Sequence, residues 1–232
     1  MRLHRFYLPT PISDETFDIA DRNMVHQWQN VFRYNVGSQV ILFDGSGMDY
    51  LCMITSLRNL GATVSIIKKS NTCQPARSTS VWLCLGIIKK DNFELVVQKA
   101  TELGVSHIVP ILCERSEKKN INMERLQKII IEASEQSGRS ELLKIHEIMT
   151  LPELLKSNLL PKEKMILDPK GQEIDNLFKK TEEIAIFIGP EGGWANLEIK
   201  QFESSGVSSV SLGSQILRAE TAAIAVSSLL LL

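Results

Sequence analysis

The chain has 232 residues, enough for one large domain or for a small domain beside a larger one. With 44% hydrophobic and 23% charged residues it has an ordinary globular composition, able to bury a sizeable core. The net charge of −1 excludes a composition-wide attraction to nucleic acid, so any RNA or DNA contact must come from local patches.

In chain order, HRFYL predicts a short strand and DRNMVHQWQNVF a brief helix. VGSQVILFDGSGMDYLCMIT and ATVSIIKK follow, with Asp44-Gly45-Ser46-Gly47 between apolar runs as a hairpin turn. These segments predict a small β-rich domain, a barrel. KKSNTCQPARSTS, from Lys68 to Ser80, is polar, contains Pro75 and reads as a linker.

From Val81 onward strands and helices alternate. VWLCLGI reads as a buried strand. DNFELVVQKATELG reads as a helix with Phe93, Val96, Val97, Ala100 and Leu103 on one face and Gly104 as its stop. HIVPIL is a strand, and NMERLQKIIIEASEQSG a helix with Leu126, Ile129, Ile130 and Ala133 on one face. Thr150-Leu151-Pro152-Glu153 is a capping-box start. KMILDP, EIAIFIG and VSSVSLG are further strands, each followed by a helix-like segment. Apolar strands in this alternation predict a parallel sheet covered on both faces. There is no internal repeat and no low-complexity segment.

Cys52, Cys73, Cys84 and Cys113 have no CxxC spacing and no nearby histidine, so no metal site is expected. Reduced core thiols are expected instead. MRLHRFYLPTP lacks the apolar stretch of a signal peptide, and the apolar run from Ala219 to Leu232 falls short of the roughly twenty residues that span a bilayer. The expectation is a cytoplasmic protein whose last helix is buried in a core or an interface.

Ligands of parallel α/β sheets bind beyond the carboxyl ends of the strands. Three loops qualify: Leu167-Asp168-Pro169, Gly189 to Trp194, and Ser211 to Glu220. The middle one, in IFIGPEGGW, lacks the Lys-Ser/Thr pair of a phosphate loop and the GxGxxG of a dinucleotide loop. Its Glu191 would repel a phosphate. The glycines therefore suit a neutral or cationic ligand or another backbone segment, with a purely structural turn as the alternative. In SLGSQILRAETA, Ile216 and Leu217 stand where polar residues are usual and are candidates to wall an adenine pocket. Arg218 at the helix start opposes the helix dipole, a small cost that a functional task would offset.

IGPEGGW followed by SLGSQILRAETAA closely resembles the ribosomal small subunit methyltransferase E family. The similarity extends to MRLHRFYL, VGSQVILFDGSG, KKDNFELVVQKATELGV, PILCERS and IEASEQSGR. Ala195 stands where the family often has Ser or Thr, leaving Asn196 to cap the next helix, and Lys90 replaces a common glycine. The resemblance implies methylation of N3 of one 16S rRNA uridine with S-adenosylmethionine. It implies an α/β fold: a SPOUT domain (residues 73–232) with a parallel sheet and a deep trefoil knot, behind a PUA-like barrel (residues 1–72). It also implies a homodimer acting on the small ribosomal subunit. By position, the cofactor loops are Leu167 to Pro169, Ile188 to Gly193 and Leu212 to Leu217, with Leu167, Ile188, Gly189, Glu191, Gly193, Leu212, Gly213, Ile216 and Leu217 as cofactor-binding candidates.

Uridine N3 is only weakly acidic, so a cation that stabilises the uridinate is a plausible device, and Arg139 and Arg218 are the catalytic candidates. Arg2, His4, Arg5, Arg33, Lys89 and Arg115 are RNA-contact candidates, with an ordinary solvated surface as the alternative. Glu132 and Glu135 are read as a solvated face or an arginine anchor, and His26, His107 and His146 as structural. Trp28 and Trp194 are open to base stacking, whereas Trp82 is read as core. Two rivals remain: a non-catalytic RNA-binding assembly factor, which would not need intact GPEGG and ILRAET loops, and a nucleotide-dependent oxidoreductase, whose glycine fingerprint GIIKKDNFE does not supply.

Overall fold

The computed structural model describes residues 3–71, 79–174 and 181–232. Arg2, Cys73 and most of the expected linker lie outside them. The chain divides into two units, Met1–Pro75 with Ser134–Leu142, and Ala76–Ala133 with Leu143–Leu232.

The first unit carries a mixed sheet of β1 (Arg5–Tyr7), β2 (Thr16–Ile19), β3 (Gln39–Phe43), β4 (Met48–Arg58) and β5 (Gly61–Asn71), in the order β1-β3-β4-β5-β2. β1 runs parallel to β3, and the remaining pairs are antiparallel. The DGSG turn joins β3 to β4 as expected. Asp44 accepts the Ser46 N–H at 3.1 Å with one carboxylate oxygen and the Ile12 N–H at 2.9 Å with the other. β5 runs further than the sequence suggested. Lys68 and Lys69 fall in both the ATVSIIKK segment and the linker reading, and in the structure they pair with Leu51 and Tyr50 of β4, because the ladder continues past the last apolar residue.

Helix α1 (Arg22–Asn30) is capped by Asp21, whose carboxylate accepts from the Asn23 and Met24 amides at 2.8 and 3.1 Å. It buries Met24, Val25 and Trp28 against a core that includes Phe6, Val40, Leu42 and Ile54. The Ser134–Leu142 stretch packs into this unit although it falls within the second domain by sequence. Arg5 forms an ion pair with Asp49 and donates to the Ser140 hydroxyl at 2.8 Å, and Glu135 accepts the Tyr7 N–H at 3.0 Å.

The second unit holds β6 (Ser80–Gly86), β7 (His107–Leu112), β8 (Lys144–Ile145), β9 (Met149–Thr150), β10 (Lys164–Glu173), β11 (Glu183–Ile188) and β12 (Ser208–Ser211). The order is β12-β10-β11-β6-β7-β8, with β9 also on β7, and every pair is parallel. The near-continuous apolar runs of β6 and β11 are buried throughout their central residues, as strands of a two-sided parallel sheet must be. Helices α2 (Lys90–Leu103), α3 (Met123–Ser137), α4 (Leu151–Lys156), α5 (Asn196–Ser204) and α6 (Ala219–Leu231) complete the alternation, the last turn of α3 falling in the Ser134–Leu142 stretch.

Local signals account for the helix ends. Gly104 stops α2 at φ 99°, a left-handed conformation that favours glycine. Glu153 accepts the Thr150 N–H at 2.9 Å at the start of α4. At α5 the expected Asn196 cap is corrected. Ala195 is the cap residue, and Glu198 takes its N–H at 2.8 Å.

Buried thiols occupy both units. Burial pushes Cys52 and Cys113 up to about 12, and raises Cys84 as well.

Candidate active site

The three loops singled out in the sequence meet in the second unit. β10, β11 and β12 are parallel, so their carboxyl ends point the same way, and a cleft of roughly 740 Å³ opens there between the N-termini of α2 and α6. All nine residues expected at the cofactor line it: Leu167, Ile188, Gly189, Glu191, Gly193, Leu212, Gly213, Ile216 and Leu217. Arg218 and Lys89 line it too.

The first wall is a bulge rather than a strand-end loop. Leu167 pairs with Val210 of β12, the next residues loop out, and Gln172 returns to the same Val210. Asp168, Pro169 and Lys170 are the excursion, tightened by the Lys170 N–H on Asp168 at 2.9 Å. Gly171 makes the return possible. A Cβ there would stand 2.6 Å from the Val210 backbone.

The GPEGG wall is held by its own turn and by neighbours on both sides. Gly193 N–H closes on the Pro190 carbonyl at 2.8 Å, with Gly193 at φ 68°. Pro190 presses on Gly86 at the end of β6, where a Cβ would come within 2.8 Å. Trp194 lies beneath Gly189 and packs edge-on against Phe202. Arg115 donates to the Gly192 carbonyl at 3.0 Å.

Glu191 lines the cleft and also reaches a neighbouring element. Its carboxylate accepts the backbone N–H of Lys89 at 2.9 Å, where α2 begins, so it completes a helix N-terminus with the favourable sign of the dipole.

The third wall is the β12–α6 connection. Ser211 Oγ braces it by donating to the Gly213 carbonyl at 2.9 Å. Ile216 is 85% exposed, an unusual state for so apolar a residue. Arg218, the N-cap residue of α6, is exposed. Glu220, two residues on, is only 8% exposed, and its Oε2 is closed off from solvent without a hydrogen-bond partner. Sequence reasoning noticed Glu220 but gave it no role. The available signal was an acid at the start of a helix too apolar to leave it in water.

Of the other candidates, Arg139 belongs to the first unit, where burial draws its guanidinium below its ordinary value and nearby Glu141 opposes the shift. Arg5 is corrected: its guanidinium is committed to Asp49 and Ser140. His4 and Arg33 are exposed in the first unit. His107 and His146 join ring to ring at 3.0 Å, with His107 stacked on Trp82, and Trp28 is wholly buried. Among the described residues no group of His, Cys, Asp or Glu is arranged to hold a metal ion.

Comparison with known proteins agrees with this geometry. Residues 75–231 match the model of the RNA methyltransferase domain family. The ribosomal RNA small subunit methyltransferase E of Rickettsia conorii is 31% identical, over 97% of this chain and 93% of its own length. The Bacillus subtilis enzyme of the same name is 29% identical over 89% and 86%. Among solved structures, a ribosomal RNA small subunit methyltransferase E from Neisseria gonorrhoeae bound to S-adenosyl methionine superposes with a TM-score of 0.86 at 32% identity, covering 98% of this chain and 96% of that one. With the cleft, its three loops and near full-length matches in agreement, the chain belongs to the ribosomal RNA small subunit methyltransferase E family.

Proposed function

We propose that this protein methylates N3 of a specific uridine in 16S rRNA, corresponding to uridine 1498 in standard rRNA numbering, with S-adenosylmethionine as methyl donor. The observation that carries the reading is the cleft at the ends of β10, β11 and β12, whose buried acid, Glu220, lacks a partner. A buried carboxylate without a partner is costly and calls for a cationic ligand. A phosphate-bearing cofactor would meet like charge there. S-adenosylmethionine carries an ammonium, a sulfonium and an apolar adenine edge, and a cleft of about this size suits it.

In this reading Leu167, Leu212, Ile216 and Leu217 supply apolar walls, while Gly189, Gly193 and Gly213 let backbone approach closely. Ile188 ends the strand beneath them, and Glu191 fixes the loop on α2. Glu220 accepts hydrogen bonds from the cofactor's ammonium, since the sulfonium has no proton to donate. When bound, the cofactor supplies a methyl group already activated by the adjacent positive sulfur.

The protein's remaining task is to hold an unpaired uridine in line and to favour loss of its N3 proton. The departing proton leaves charge shared by N3 and the flanking carbonyl oxygens. Arg218, exposed beside the Ile216-Leu217 wall, stabilises that charge, and Arg139 is the second candidate. Lys89 and Arg115 flank the GPEGG loop and are the RNA-facing cations of this unit, Arg115 doing so while it braces Gly192.

The first unit acts as the PUA-like RNA-binding barrel, supported by its five-stranded mixed sheet. The proposed functional division is residues 1–72 and 73–232, with Ser134–Leu142 of the latter packing in the first unit. The second unit is threaded as the trefoil knot, a reading supported by its resemblance in the GPEGG and ILRAET loops. The active form is a cytoplasmic homodimer. No helix among the described residues is long and apolar enough to cross a membrane, and α6 leaves Leu229 and Leu232 in the open.

The test is direct. Small-subunit rRNA is incubated with the protein and labelled cofactor, digested and resolved by mass spectrometry. The expected product is 3-methyluridine at one position. A different methylated nucleoside, or none from either free rRNA or assembled subunits, overturns the reading.

A further inference from the structure

Two stretches of the first unit contain no aspartate or glutamate: residues 1–12 and 22–43. In a chain with 27 acidic against 26 basic residues, that is a local excess of positive charge. The fold brings the two stretches together. β1 pairs in parallel with β3, and the Ile41 N–H reaches the His4 carbonyl at 3.0 Å. Arg5 is neutralised by Asp49; of the exposed basic residues that remain in the two stretches, which include Arg22 and His26, His4 and Arg33 lie in or beside the aromatic cluster.

Aromatic rings meet at this junction. Phe32 and Tyr34 are stacked, with centroids 5.5 Å apart and planes 18° apart. The His4 ring lies 4.2 Å from Phe32 and 6.4 Å from Tyr34, centroid to centroid. Phe32 is anchored from below by an edge contact with buried Phe6. In the chain between Phe32 and Tyr34 stands Arg33, at φ 54°. It is the one non-glycine residue with positive φ among the described residues, a conformation that costs roughly 1 kcal/mol or more and persists only where its surroundings impose it. That conformation interrupts the chain between rings that stack two residues apart.

We propose that His4, Phe32 and Tyr34 form a stacking platform for an unpaired RNA base, with Arg33 on the adjoining phosphate. This rests on the rRNA reading above and adds the recognition chemistry of the first unit. The argument is one of complementarity. Every base offers a π-face to an aromatic ring, and an arginine beside the ring meets the phosphate that follows it. The absence of carboxylates from both contributing stretches keeps the approach of a polyanion free of repulsion from within the platform. A protein partner would need no such exclusion of acids.

The test uses the full chain and a single-stranded RNA oligonucleotide with the sequence around the methylated uridine and 2-aminopurine at its neighbour. Wild-type protein should quench the probe on binding. Tyr34→Leu should abolish quenching and weaken binding about tenfold, and Tyr34→Phe should retain both. Arg33→Gly, which suits the positive φ, should keep the melting temperature while lowering the salt dependence of binding by about one phosphate contact. His4→Ala carries the same test at an exposed position if Tyr34→Leu melts early. Cofactor affinity should stay at the wild-type value in all four variants. Wild-type quenching and affinity in both Tyr34→Leu and His4→Ala overturn the platform and turn the patch over to a protein partner. If wild type methylates no rRNA and binds no probe, the substrate reading itself falls, which is a separate outcome.

Discussion

Arg218 and Glu220 sit two residues apart at the start of α6 and meet opposite surroundings, one exposed and one buried without a partner. Their substitutions should separate. Arg218→Ala should lower single-turnover methylation about 10²–10³-fold, the usual loss for one charge-stabilising donor, while calorimetric cofactor affinity stays near wild type. If affinity falls in step with rate, Arg218 belongs to the cofactor and Arg139 becomes the leading catalytic cation. Glu220→Gln should do the reverse. Cofactor affinity should weaken about tenfold or more, since a hydrogen bond to a charged group contributes roughly 1.5–3 kcal/mol. The ligand-free protein should melt no earlier than wild type, because an unpaired buried charge has been removed. Early melting with unchanged affinity would make Glu220 structural.

The decisive element is β10, a strand that leaves its neighbour and comes back. Leu167 and Gln172 both pair with Val210, and the residues between them form a wall of the cleft. Gly171→Ala puts a methyl group 2.6 Å from backbone that cannot swing away. Forcing atoms into filled space costs about 1–3 kcal/mol, so the melting temperature should fall and cofactor affinity should fall with it. A variant as stable as wild type, measured by thermal denaturation, would mean that β12 yields easily. Glu191 makes a related point about the neighbouring element. A loop glutamate that lines the cleft also accepts the Lys89 N–H just before α2, which ties the GPEGG loop to the start of that helix.

For the whole molecule the open question is assembly. α6 buries Ala223, Val226 and Ser227 within its own unit, yet Leu232 is 74% exposed and Leu229 faces out as well. Together with the exposed Ile216 and Leu217, these residues motivate the proposed homodimer. Sedimentation at micromolar concentration should give a dimer, and Leu229→Lys should shift it toward monomer without unfolding the chain. A wild-type monomer at that concentration would remove the dimer and any role for a partner copy in the site.

Much of this was legible in the residues themselves. Periodicity marked α2 and α3, Gly104 marked a helix end, and the DGSG turn marked a hairpin, because each depends on a few neighbouring residues. The loops of the cleft were legible for a related reason: in a parallel sheet the carboxyl ends of the strands share one side. Local pattern did not extend to partners distant in the chain. Arg5 read as a free cation until Asp49, far along the chain, claimed it. Glu191 read only as a loop charge at the cleft, and its bond to the Lys89 amide, 102 residues away in sequence, came from the fold. The linker reading overlapped β5 from Lys68 because polar residues signal a loop only when no ladder holds them. The grouping of Ser134–Leu142 with the N-terminal sheet likewise rests on contacts across more than a hundred residues, such as Glu135 on the Tyr7 amide. Sequence determined which segments form strands, helices and turns, because those choices are made by short-range sterics and hydrophobic period. Tertiary structure alone decided which charges are spent on the fold and which remain for a ligand, because that depends on which groups the folded chain brings within hydrogen-bonding distance.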